Sequence, residues 1–331
     1  MTLRTGLVLL AVAAGLALAW LAREILLLAF LGVVIAVVLS FPVGWLSRKL
    51  PRSVALLLVL LALAGALVAG ALLFAPTVSG QFEDLRATAP KALGTVRQWL
   101  SRRSGAELQK GAAKVAEKAS QVALPALLGL ISGLTAAVLV FVLGAFLVAA
   151  PDVYRKGARR LFPRHLEPVF DESWQRVGKA LRQWVGGIIV SMTIMGTLAA
   201  LGLWIAGIND WLLLGSLTFL GTFVPYVGAV ASAIPGLLVA LSQDSTHLLY
   251  AAAVYLAVHL VEGYLIQPLV MRKAVEVKPA LLLAGQGALS AVFGLAGTVV
   301  ATPLIVACQT LVEHLWVERK LGKGSREQRA A

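Results

Sequence analysis

Runs of about twenty apolar residues, several nearly devoid of charge, dominate this chain. An α-helix needs a run of that length to cross roughly 30 Å of hydrocarbon. In lipid such a helix also satisfies its own backbone N–H and C=O groups, which no open loop can do. Of the 331 residues, 59% are hydrophobic and 14% are charged, against about half and about a quarter in soluble domains. A soluble fold of this composition would leave a large apolar surface uncovered. The sequence therefore predicts an all-α polytopic membrane protein with about 7–8 transmembrane helices.

The formal net charge is +13. A nucleic-acid-binding face would need a soluble domain to carry it, and none is visible. The basic residues instead sit in short blocks between apolar runs, where Lys and Arg set membrane orientation. The loop after the second run holds Arg48, Lys49 and Arg52 with no acidic residue, and marks the cytoplasmic side. The single cysteine, Cys308, excludes an intramolecular disulfide. The four histidines are scattered, and no metal-ligand spacing occurs. Nucleotide-binding, serine-hydrolase and zinc-protease motifs are missing, so the expectation is a protein that is not an enzyme and uses no cofactor.

The apolar runs place spans at 5–22, 25–46, 54–75, 126–150, 185–208 and 247–270. Spans one to three occupy 1–76. Residues 77–125 form an extracytoplasmic amphipathic helical segment, with eight basic and four acidic residues over 77–122. Residues 126–317 form the transport core, interrupted by a cytoplasmic segment at 151–182. There Trp174, Val177, Leu181 and Trp184 recur at helical spacing, as on a membrane-surface helix. The basic tail 318–331 is cytoplasmic, and so is the N-terminus. These assignments make the chain a multi-pass protein of a bacterial cytoplasmic (inner) membrane.

Two apolar segments, 211–241 and 280–315, are too long for one upright span. The first holds Pro225, Gly228, Pro235 and Gly236, and the second Gly294, Gly297 and Pro303. Each is either one kinked span packed through small residues or a helical hairpin or re-entrant pair. Charge favours the hairpins, because they put Arg272, Lys273, Lys278 and the basic tail on the cytoplasmic side. Paired Gly/Pro-interrupted segments are also the best sequence pointer to a transport site.

Between them, the span at 247–270 carries His259, Glu262 and Gln267, with Pro268 next to the glutamine. A carboxylate at membrane depth is costly and is a functional candidate. His259 lies three residues from Glu262, so the two share a helix face and can hold a proton together or make a structural hydrogen bond. Gln267 can bind a polar solute or cap a broken helix. Thr222 and Gln286 are further candidates for a substrate or ion path, and Thr222 is equally suited to bonding back to its own helix.

Three stretches carry a family resemblance. Val224-Pro225-Tyr226-Val227-Gly228 followed by Ile234-Pro235, Glu262-Gly263 leading to Pro268-Leu269-Val270-Met271, and Phe293-Gly294-Leu295-Ala296-Gly297 followed by Ala301-Thr302-Pro303-Leu304 resemble, in order and spacing, the autoinducer-2 exporter family of transporters. Arg272 stands where that family often has glycine, and Gly186-Gly187 where it often has Gly-Gln. The resemblance implies a homo-oligomeric secondary transporter that exports a small polar solute by alternating access. Two alternatives stay open: a Na⁺(Li⁺)/H⁺ antiporter, moving a monovalent cation or proton, and a non-transporting oligomeric membrane scaffold. The spans contain no aspartate of the kind such exchangers commonly use.

Overall fold

The computed structural model describes residues 20–65, 134–266 and 277–322, with isolated positions at 14, 15, 17, 18 and 69. Most of the first expected span, the 77–125 segment, Gln267, Pro268 and the tail from 323 lie outside the described residues. The described part is helical, with no strand among these residues. Its helices are α1 Arg23–Leu46, α2 Arg52–Gly65, α3 Leu134–Ala149, α4 Pro151–Arg159, α5 Glu167–Ile205, α6 Trp211–Gly221, α7 Val227–Gln243, α8 Ser245–Val261 and α9 Pro279–Val312. Helices α8 and α9 each run on into a π-helical turn, Glu262–Ile266 and Glu313–Glu318.

Four helical stretches are long and apolar enough to cross a membrane, and the bent pair α3–α4 raises the number to five. The expected 7–8 spans are not reached among the described residues. Most of 1–19 and 66–133 lies outside the described residues, and the two long segments do not run straight.

The chain divides into two compact units, Met1–Leu56 with Gly133–Leu181 and Ala280–Ala331, and Leu57–Ser132 with Arg182–Pro279. In the first unit α1 packs on α3 through glycine. A Cβ built on Gly32 would touch Leu143 Cβ at 3.0 Å, and one on Gly144 would meet Ile35 Cγ2 at 2.6 Å. Such small-residue contacts let helices approach where no hydrophobic effect drives them together in lipid. Arg52 Nε donates to the Val148 carbonyl at 2.9 Å, satisfying one of the orphan acceptors at the α3 C-terminus. The 47–52 loop and the end of α3 are thereby held at one level.

Helix α9 reverses direction within itself. Gly294 has φ 60° and ψ −141°, a conformation open to glycine and closed to residues with a Cβ. Beyond it the chain folds back: a Cβ on Gly285 would sit 2.5 Å from Ile305 Cδ1, and one on Gly297 would run into the Leu289 carbonyl. In an unbroken helix positions 285 and 305 would be about 30 Å apart. By length Pro279–Glu318 is one span; by packing it is a hairpin.

The second unit contains the other hairpin. α6 has 11 residues and α7 has 17, or about 16 and 25 Å, each short of a full crossing. They run antiparallel. Leu214, near the start of α6, shares a core cluster with Val239 and Ala240 at the end of α7. At the open end Gln243 accepts from the Asn209 N–H and donates to the Gly207 carbonyl, both at 3.1 Å. The later half of α5 packs on this pair and on α8 through glycines: Gly196 against Phe219, Gly215 against Ala200, and Gly202 against Val254.

The amphipathic stretch around Trp174–Trp184 and the fifth span are one continuous 39-residue helix, α5. Glu172–Val185 holds no proline and a single glycine, Gly178, which a helix interior tolerates at about 1 kcal/mol, so the charged half runs straight into the apolar half. Leu181 and Trp184 are buried, while Trp174 faces outward.

Candidate functional site

The tip of the first hairpin is a strained turn. Tyr226 has φ 63° and ψ −56°, and the Val227 N–H donates to the Pro225 carbonyl at 2.8 Å. This is a γ-turn of positive φ, rare and strained for a residue with a side chain. Directly across it Gly221 and Gly228 meet backbone to backbone, with no room for a Cβ on Gly228. Pro225 therefore sits at the reversal, Gly228 in the first turn of α7, and Pro235 and Gly236 farther along that helix.

Below the tip lies a column of buried hydroxyls: Thr218, Thr222, Ser232 and Tyr255. Thr218 donates to the Leu214 carbonyl at 3.0 Å, and Thr222 to the Thr218 carbonyl at 2.7 Å. Ser232 donates to the Ala229 carbonyl at 3.2 Å. Each of these three hydroxyls satisfies its proton locally and keeps acceptor capacity. The Tyr255 ring, on α8, lies on the bare backbone of Gly236, with its hydroxyl beside Thr218. Thr222 thus belongs to a polar column within the hairpin.

Two turns beyond Tyr255, α8 passes into the π-helical turn that begins at Glu262. His259 Nδ1 stands 3.3 Å from Glu262 Oε2, with both side chains part-buried. In the tautomer with its proton on Nδ1, the ring donates a long hydrogen bond to the carboxylate. The pair can hold a proton between an imidazole and a carboxylate, and π-turns of this kind concentrate at functional positions. Val258 and Ile266 flank the turn and pack on Met195 and Ala199 of α5, fixing its orientation.

In the other unit, Gln286 is buried in the first arm of the α9 hairpin, and Thr298 and Thr302 are buried in the second. Gly294 makes the reversal, while Gly297 and Pro303 lie within the returning arm. Gln267 and Pro268 fall outside the described residues. Among the described residues no three His, Cys, Asp or Glu side chains are grouped to hold a metal ion.

A cluster that the sequence reading missed joins α5 to the last turn of α9. Arg176 binds both oxygens of Glu318, at 2.8 and 2.7 Å, and Glu172 at 2.8 Å. His314, 2% exposed, lies 3.6 Å from each of the same two glutamates. The spacings Glu172–Arg176 and His314–Glu318 are each i,i+4 signals, but their meeting across 142 positions requires the fold. Tyr255 was missed because an aromatic residue in an apolar helix reads as core.

The chain matches the family described as AI-2E family transporter over residues 9–316. It belongs to that family. The AI-2E match takes in both hairpins and the Glu262 turn, so the resemblance read from three short stretches holds for nearly the whole chain. Among curated relatives, "Putative transport protein MT0215" of Mycobacterium tuberculosis is 29% identical over 332 residues, covering 92% of this chain and 87% of that protein. "Putative transport protein YrrI" of Bacillus subtilis is 22% identical over 43% of each chain. "Putative permease PerM" of Escherichia coli K12 is 24% identical over 205 residues, 61% of this chain and 58% of its own.

Proposed function

We propose that this AI-2E protein is a secondary transporter of a bacterial inner membrane that moves a small polar solute outward by alternating access. The observation that carries the reading is the pairing of a family-wide match with two helical hairpins, one of which has arms of 11 and 17 residues and holds buried hydroxyls two turns along α8 from an imidazole–carboxylate pair. Discontinuous helices of this kind expose polar backbone and side chains at membrane depth, where a solute can be held. Thr218, Thr222, Ser232 and Tyr255 supply hydroxyl contacts suited to a polar solute. Glu262, assisted by His259, couples the movement to a proton or monovalent cation. The relatives' names, transport proteins and permeases, support transport over a scaffold role.

Flux in proteoliposomes tests the proposal. Purified protein loaded with a panel of small hydroxylated and carbonyl solutes should release at least one faster than protein-free vesicles. A scaffold would release none above the vesicle background.

A further inference from the structure

Helix α3 turns through 87° into α4. If α3 crosses the bilayer, α4 lies in the plane of the membrane surface, at the end where Arg52 caps α3. The charges of α4 divide between two faces. Arg155 pairs with Asp171 at 3.0 Å, and Arg159 pairs with Glu167 and, at 3.4 Å, with Asp171. These contacts pin α4 to the start of α5 and occupy Asp171 and Glu167, while Asp152 in the first turn of α4 is exposed and makes no ion pair among the described residues. Lys156 and Arg160 point elsewhere: with Val153 they recur three and four residues apart and share the other face. Arg164 follows in the connecting turn.

Lys156, Arg160 and Arg164 are exposed, and among the described residues no carboxylate lies within ion-pair distance of any of them. Beside them Leu161 is 85% exposed, and Val153, Phe162, Leu166 and Trp174 also face outward. Phe162, Phe170 and Trp174 form a stacked row, with centroids 4.9 and 5.7 Å apart. Unpaired cations alternating with exposed apolar side chains, on a helix parallel to the surface, match a leaflet that offers phosphate and acyl chain together.

We propose that the α3–α4 elbow is a docking surface for anionic phospholipid, with Lys156, Arg160 and Arg164 on the headgroup phosphates and Leu161, Phe162 and Val153 among the upper acyl chains. An acidic protein would engage the cations, but it would leave the outward Leu161 and Phe162 unburied.

The full-length protein in neutral detergent is titrated with phosphatidylglycerol or phosphatidylcholine, and bound lipid is counted by native mass spectrometry. Phosphatidylglycerol should bind preferentially, and each of Lys156→Gln, Arg160→Gln and Arg164→Gln should weaken that preference about fivefold, less at high salt. Lys156→Arg should keep it, and Arg48→Gln in the other basic loop should not change it. Circular dichroism confirms that each variant is folded. An equal preference in the triple glutamine variant and the parent would overturn the proposal. So would displacement of the lipid by soluble glycerol phosphate, which would mark a phosphate site rather than a lipid surface. Both readouts are independent of solute flux, so a failure here leaves the transport reading standing.

Discussion

Gly285 lies against Ile305, with space for a Cβ reduced to 2.5 Å from Ile305 Cδ1, although twenty positions separate them in what is by length a single helical run. That contact requires the reversal at Gly294. Lys278 and Lys320 should therefore lie on the same side of the membrane. In a Cys308→Ser background, Lys278→Cys and Lys320→Cys should react alike with an impermeant thiol reagent, and a Gly285→Cys, Ile305→Cys pair should cross-link. Opposite accessibility would mean one kinked span. Gly294→Ala should destabilise the fold by about 1–3 kcal/mol, read from thermal unfolding in detergent, because the backbone there suits glycine alone.

Tyr226 gives a test that separates strain from packing. Alanine and glycine both remove the ring, and at an ordinary φ alanine is the more stable of the two. At φ 63° the order should invert, with Tyr226→Gly about 1 kcal/mol more stable than Tyr226→Ala. The usual order would show that the γ-turn at the hairpin tip is not strained.

Gly236 and Tyr255 should be coupled. Gly236→Val drives side-chain atoms into the tyrosine ring and should cost about 1–3 kcal/mol. Tyr255→Ala should cost stability on its own yet lessen the effect of the valine. A double-mutant cycle with coupling below about 0.5 kcal/mol would show that the ring does not rest on the glycine.

The short loop before α8 sets an acid limit. Asp244 accepts from the backbone N–H groups of His247 and Thr246 at 2.8 and 2.7 Å and pairs with the His247 ring. The His247 backbone N–H, then its ring, hold this carboxyl below the usual carboxylate range. A depressed folded-state pKa gives stability that is present above the unfolded Asp value and lost as pH falls through the folded one. Thermal stability should thus decline on acidification below about pH 4, and Asp244→Ala should flatten that part of the profile. An identical acid slope in the variant would contradict the cap.

Much of this fold is legible in sequence because lipid enforces a simple pattern. Unbroken apolar runs locate α1, the later half of α5 and α8, and the basic blocks favour a return at 211–241 and 280–315. The reversal at Gly294 was among the glycines singled out. Pro235 and Pro303, grouped with them, instead lie inside helices, since neighbouring helices in a bundle can satisfy the carbonyls that proline leaves open. What sequence could not supply is partnership. The Tyr255 ring over Gly236, and Arg176 and His314 at Glu318, depend on which helix faces pack together, and no local spacing encodes that. His259 and Glu262 were readable because they lie one turn apart on a single helix.

The central claim is solute transport coupled through Glu262, and the most direct measurement is the pH dependence of flux in proteoliposomes, parent against Glu262→Gln. The account predicts that the parent's flux responds to an imposed pH or cation gradient and that the variant's response is lost while its folded state is retained. Equal flux with the same gradient response in both proteins would contradict it.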